Sequence, residues 1–342
     1  ADARPAVRVS LDPQIAGIIE QLDSDFPAVH TMTGAQVRAV IKSRFVAPAA
    51  PEPVADVRDD TVDGVPVRIY RPSGDDLPVL VYAHGGGFVF CDLDSHDGLS
   101  RAFANLIPAV VISVAYRLAP ENQWPAAAED VYTVARWASA LGDRVLVGGD
   151  SAGGNLAAVT ALMARDRGGP ELAGQVLLYP VIAADFDTES YRIFGEGYYN
   201  PKPALQWYWD QYVPSAGYRE HPYASPLQAD LRGLPPALLV AAGCDPLRDE
   251  GLAYADALQG AGVPATVLTF DNGDRTTPLL CSSEVPGTGP DWTIDFDGTN
   301  ALAGGAVLAG ATEISLGAIR DNGAIATAGF DFDVLDVTKV TN

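Results

Sequence analysis

Cysteine is scarce in this chain: Cys91, Cys244 and Cys281 are the only three, and they stand far apart. None forms a C-x-x-C or another ligand pair, which argues against a zinc centre and leaves room for one disulfide at most. So few thiols fit a reducing compartment, and a cytoplasmic protein is expected. Positive charge is also short. Against 44 acidic residues there are 22 Lys and Arg, a formal net charge of −22. Such a surface repels phosphate backbones and anionic lipid, so no nucleic-acid partner is expected and the charge serves solubility. No apolar run approaches the ~18 residues of a membrane helix, so no membrane span is expected. The opening "ADARPAVRVSLDPQ" has no apolar signal core, so no secretory leader is expected in it. Histidine is limited to His30, His84, His96 and His221, with none beyond residue 221.

What is present is a core. Hydrophobic residues make up 48% of 342, enough for one large α/β domain or two ordinary ones. Residues 11–48 carry helical spacing: Leu11, Ile15, Ile18, Ile19 and Leu22 share one face, as do Val37, Val40 and Ile41. After the extended connector "APAAPEPVA", short branched apolar runs alternate with helical stretches. "PVRIY", "PVLVYAH", "AVVISVAY", "RVLVGGD", "QVLLYP", "ALLVAA" and "ATVLTF" read as strands buried on both faces. The helices are expected over 96–106, 125–140, 152–166, 203–212 and 247–260. This alternation predicts an α/β fold with a mostly parallel central sheet flanked by helices. An aromatic-rich insert, "YYNPKPALQWYWDQY", interrupts it within 181–235.

After Asp271 Lys and Arg nearly vanish, Gly and Ala rise, and helical periodicity fades. "DWTIDFDG" alternates like a half-buried strand, and "EISLGAIRDNGAIATAGF" reads as a hairpin about Asn322-Gly323. Residues 272–342 are therefore expected to be an atypical, β-like tail and not another strand–helix pair.

Two motifs carry chemistry. Gly149-Asp150-Ser151-Ala152-Gly153 fits G-x-S-x-G, with a strand before it and a helix after it. The glycines allow a sharp turn around an exposed serine oxygen, and the helix N-terminus behind Ser151 favours developing negative charge. His84-Gly85-Gly86-Gly87 follows another strand. Its three glycines let backbone N–H groups approach a tetrahedral oxyanion, with the amide of Ala152 as a further donor. His84 is read as ordering its loop, not as a base.

With "YRLAPE" (116–121), "HPYASPL" (221–227) and "CDPLRDEG" (244–251), these motifs in this order resemble the hormone-sensitive-lipase-like carboxylesterases of the α/β-hydrolase fold, over roughly residues 10–271. The resemblance implies N-terminal cap helices over 1–50, an α/β-hydrolase core over 51–271 and a cap insert near 181–220. It implies a short- to medium-chain carboxylic ester as substrate, no cofactor and no metal. Family dimers pair through the last strand, so a homodimer is an expectation. By the resemblance Ser151 is the nucleophile and Asp245 orients the base, with Asp249 the weaker candidate. Gly86, Gly87 and Ala152 hold the oxyanion, with Gly85 a substitute. Asp150 and Glu121 brace loops, and Cys244 packs.

The base itself is missing. The family places its histidine after the strand that here reads "ATVLTF", and Arg275 in "DNGDRTT" stands near that position. Arginine stays protonated and cannot take a serine proton. His30, in the expected cap, is the one histidine worth testing as a substitute. Ester cleavage is therefore expected to be weak or lost. Plant gibberellin receptors resemble the same branch, lack a working histidine and bind a ligand under an N-terminal lid. A non-catalytic site for a small carboxylate is the alternative on that pattern.

Overall fold

The computed structural model describes residues 13–270, apart from residues 46, 47, 49 and 143. Eight strands form one sheet in the order β1-β2-β4-β3-β5-β6-β7-β8. They are β1 (Asp56–Val62), β2 (Val65–Arg71), β3 (Val79–Ala83), β4 (Val110–Val114), β5 (Val145–Asp150), β6 (Gly174–Leu178), β7 (Ala237–Ala242) and β8 (Ala265–Phe270). From β4 through β3 to β8 every pairing is parallel; β1–β2 and β2–β4 are antiparallel. All seven strands expected from the apolar runs are present. β3, β4 and β5 are buried at every position, as continuous branched runs require when helices cover both faces.

β1 was not expected. "DVRDDTV" carries three aspartates and exposes most of its length, because an edge strand needs only one partner and its outer face meets water. The signal that reveals it is Asp63-Gly64, at φ 47° and 87°, a two-residue turn of the kind that closes a tight hairpin between Val62 and Val65.

The helices are α1 (Pro13–Asp25), α2 (Gly34–Arg44), α3 (Asp97–Leu106), α4 (Ala126–Ala138), α5 (Ala152–Asp166), α6 (Glu189–Phe194), α7 (Lys202–Tyr212), α8 (Ala216–Arg219) and α9 (Arg248–Gly260). α3, α4, α5, α7 and α9 fall within two residues of expectation. α5 is buried along nearly its whole length, which places it behind the centre of the sheet. Ile19, Leu22, Val37 and Ile41 are buried as the spacing of 11–48 predicts, and Val40 is half-buried. Leu11 and the side chains of Ile15 and Ile18 lie outside the described residues.

α2 starts with a capping box in which Thr33 and Gln36 satisfy each other's backbone amides. It is then pinned to the body through Arg38, which donates to the carbonyls of Val89 at 2.9 Å and Ala119 at 3.1 Å and pairs with Glu121. Glu121 thus braces, as expected. The aromatic insert forms α6, α7 and α8. The tail 272–342 and Arg275 lie outside the described residues.

Candidate active site

Ser151 sits where β5 turns into α5, at φ 53° and ψ −116°. A non-glycine residue holds this sparsely populated region only when its surroundings over-determine it. Here they do. The Ser151 amide donates to the carbonyl of Leu178 at 2.9 Å, and its own carbonyl accepts from Val181 at 3.0 Å and Asn155 at 3.2 Å. Gly153 makes the corner possible, since a methyl group there would stand 1.9 Å from the carbonyl oxygen of Ala83.

The loop after β3 lies beside this corner. Gly86 and Gly87 take φ of 106° and 57°, and the ring of Tyr208 from α7 occupies the space a Gly87 side chain would need, at 2.4 Å. The Gly86 carbonyl accepts the amides of Val89 and Phe90, both at 3.0 Å, which fixes the turn. His84 stacks on Tyr116 with centroids 4.3 Å apart, and the Tyr116 hydroxyl donates to the His84 carbonyl at 2.7 Å. The His84 Nδ1 donates to the Gly85 carbonyl at 2.7 Å. Burial, together with neighbouring His96, pushes the His84 imidazole down to about 4, so it is neutral and ties down its own loop.

Asp150 joins the two motifs. Its buried Oδ1 accepts from the Tyr82 hydroxyl at 2.7 Å and the Gly85 amide at 2.9 Å, and it faces His96 Nε2 at 3.4 Å. Burial alone would raise this carboxyl, yet His96 and the Tyr82 hydroxyl outweigh it and hold it below its ordinary value. The bracing role expected for Asp150 therefore has named partners. Tyr82, Tyr116 and the His96 contact were not legible in the sequence, because each depends on a neighbour brought close by sheet order.

Asp245 follows β7 on the same side of the sheet as Ser151, since both come at the C-terminal ends of parallel strands. Its Oδ1 accepts the Leu247 amide at 2.8 Å. Burial pushes its carboxyl up to about 6, only partly offset by the Leu247 hydrogen bond and by Arg248. Among the described residues no histidine hydrogen-bonds to it or to Ser151. Asp249 is committed elsewhere: it accepts the Ser190 amide at 2.8 Å and Arg248 Nε at 2.9 Å, joining α6 to α9. Cys244 is packed against Phe194.

The remaining histidines are accounted for locally. His30 is exposed, and His221 Nδ1 accepts the Tyr223 amide at 3.0 Å on the surface. Glu250 was not singled out by the sequence. It is buried, its Oε1 accepts the Ile182 amide at 2.7 Å, and burial raises its carboxyl well above the ordinary value. It holds the segment that follows β6 beside Ser151. Of the aromatic triplet in α7, Trp209 belongs to the core and edges onto Phe88, whereas Tyr208 faces the glycine loop.

A serine on a strained elbow beside a glycine-rich loop, on a mostly parallel sheet of this order, defines an α/β-hydrolase, and the family model for the alpha/beta hydrolase fold matches residues 80–274. The chain belongs to that family and, within it, to the hormone-sensitive-lipase-like carboxylesterases. It is 44% identical over 244 residues to carboxylic ester hydrolase LipN of Mycobacterium tuberculosis, covering 66% of this chain and 65% of that one. It is 39% identical over 270 residues to carboxylesterase NlhH of the same organism, covering 73% and 85%. The crystal structure of a thermostable esterase from Pseudomonas putida matches with a TM-score of 0.71 at 34% identity, covering 79% of this chain and 88% of that one.

Proposed function

We propose that this chain is a carboxylic-ester hydrolase of the serine acyl-enzyme type in which turnover is weak, because no histidine stands where the base is required. The observation that carries this reading is the elbow at Ser151, beside a loop whose Gly85 amide is held by Asp150 and whose His84 carbonyl is held by the Tyr116 hydroxyl. Ser151 Oγ attacks the ester carbonyl carbon. The amides of Gly86, Gly87 and Ala152 take the charge that develops on the carbonyl oxygen, aided by the N-terminus of α5. The Ser151 hydroxyl proton passes through solvent to the alkoxide that the tetrahedral adduct expels, which leaves as alcohol. Water then attacks the acyl-serine, one of its protons restores the Ser151 hydroxyl, and the acid is released. Asp245 is the carboxylate that would orient an imidazole accepting the serine proton. Without that imidazole the hydroxyl keeps its proton at neutral pH. In one serine protease, loss of the histidine alone costs about 10⁶ in turnover.

Residues 1–50 and the insert near 181–220 act as a cap over this centre, a reading supported by the contact of Phe26 with Phe90 and Tyr199. A cytoplasmic setting is part of the same proposal, supported by how few and how far apart Cys91, Cys244 and Cys281 are in the sequence. Among the described residues no helix is long and apolar enough to cross a membrane. A homodimer paired along β8 is part of the same proposal.

Hydrolysis of 4-nitrophenyl butyrate by the whole chain and by Ser151→Ala tests this reading. A slow rate that Ser151→Ala lowers further supports it, and a fast rate removed by Ser151→Ala would refute the claim of weak turnover. The absence of any histidine after residue 221 favours a second reading, a binding site for a small carboxylate. Heat on titrating butyrate into a chain with no Ser151-dependent rate would establish that instead.

A further inference from the structure

His96 immediately precedes α3 and is 4% exposed, and its hydrogen bonds decide which ring nitrogens carry protons. Ser95 decides the first. Its Oγ lies 2.8 Å from the Asp92 carbonyl, which can only accept, so the one hydroxyl proton points there. The same Oγ accepts the Asp92 amide at 2.9 Å. It also stands 2.9 Å from His96 Nδ1 and has no second proton to give, so Nδ1 donates to it.

Asp150 decides the second. Its Oδ1 faces His96 Nε2 at 3.4 Å and already accepts the Tyr82 hydroxyl at 2.7 Å and the Gly85 amide at 2.9 Å. An ionised carboxylate has no proton to offer. A bare nitrogen turned toward it would set two lone pairs face to face, whereas a proton on Nε2 makes the contact a charged pair. The two side chains are 5% and 2% exposed, so water and salt screen that pair little.

We infer that His96 carries a proton on both ring nitrogens, and that this imidazolium is the positioning residue that holds Asp150, and through it the Gly85 amide, in place beside Ser151. Around the ring, Asp150 of β5 supplies the compensating charge. Tyr82 of β3 is a neutral phenol, since burial raises it well above the ordinary range. His84, with ring centroids 5.4 Å apart, is neutral as well. Asp92 turns its carboxylate to the amides of Asp94 and Ser95. The ring also edges a cavity of about 290 Å³, where Arg68 of β2 pairs with Asp94 and Asp97, and Arg101 pairs with Asp97. That cavity gives the ring a path to solvent protons. When rising pH removes the Nε2 proton, its lone pair faces the carboxylate and the hold on Gly85 weakens. The proton assignment stands apart from ester hydrolysis; what the Gly85 loop does for an oxyanion rests on the reading above.

Long-range proton–nitrogen correlation spectra of the histidine rings test it, recorded on the whole nitrogen-15-labelled chain from about pH 5.5 to 9. His96→Gln identifies the His96 signals by their loss. At the acid end both His96 nitrogens should carry protons, while His84 in the same spectrum keeps one bare nitrogen. As pH rises, Nε2 should lose its proton and Nδ1 keep its own, and the Gly85 amide signal should shift with the same midpoint. Asp150→Asn should lower that midpoint by about one pH unit or more, because the opposite charge is gone. A bare Nδ1, one bare nitrogen even at the acid end, a Gly85 amide that ignores the titration, or a midpoint unmoved in Asp150→Asn overturns the inference. Should Asp150→Asn not fold, the titration of the natural chain decides. Neither readout uses ester turnover. A chain inert toward every ester loses the hydrolase reading and keeps the His96 assignment, and an active chain with a bare Nδ1 does the reverse.

Discussion

The carboxylate of Asp150 accepts the amide hydrogen of Gly85 at 2.9 Å, so the residue preceding Ser151 anchors the glycine loop that follows β3. The same oxygen takes the Tyr82 hydroxyl. Asp150→Ala would strand that hydroxyl and that amide without partners in a buried place, and would leave His96 facing nothing. A loss of about 2–5 kcal/mol in unfolding free energy is expected, since two buried donors each lose their acceptor at about 1–3 kcal/mol apiece. Urea unfolding of the variant measures it, and a loss under ~1 kcal/mol would contradict the anchoring role.

Asp245 makes stability depend on pH in a definite direction. Its carboxyl is raised from an ordinary 3.8 to about 6 by burial. Between those values the folded chain keeps a proton that the unfolded chain releases. Its contribution is therefore fully present below about pH 4 and is lost as pH rises toward 6. At neutral pH the ionised form costs about 3 kcal/mol by this shift. Asp245→Asn should melt higher than the natural chain at pH 7, and the gap should close near pH 4. A gap that stays constant across that range would show that the carboxyl is not shifted.

If the serine lacks only its base, a small diffusible base should restore part of the rate. Added imidazole is expected to raise hydrolysis of 4-nitrophenyl butyrate saturably and by about tenfold or more, below the ~10²–10⁴ that a positioned base contributes because a diffusible one is not held in place. The rise must vanish in Ser151→Ala, because imidazole also attacks such esters unaided. Equal rates for the two proteins at every imidazole concentration would show that Ser151 cannot be activated this way.

Two glycines should respond oppositely to the same change. Gly153→Ala places a methyl group 1.9 Å from the Ala83 carbonyl oxygen and pushes α5 off the sheet, a cost of about 3 kcal/mol or more. Gly17, inside α1, has nothing described within 4 Å of a new methyl, and Gly17→Ala should stabilise the helix by roughly 0.5–1 kcal/mol. Thermal melts of the pair check the contrast. A destabilised Gly17→Ala would mean that α1 is not exposed on that side.

The amino-acid sequence by itself determined the seven apolar strands, the major helices and the two chemical corners at Gly85–Gly87 and Ser151. Those features are encoded in short windows: branched runs set the strands, and glycines permit close backbone approach wherever they stand. It also determined that no histidine follows residue 221, a matter of composition. It did not reveal β1, whose polar run lacks the apolar pattern of a strand and is paired only because β2 lies beside it. Tertiary structure alone decided what surrounds each corner. Gly85 meets Asp150 across 65 residues of chain, and Tyr199 meets Asp23 across 176. No local pattern records such pairs, because they are set by the order of strands in the sheet and by which segments pack against one another across it. The same long-range packing raises Asp245, since burial is a property of the assembled core and not of any stretch of the chain.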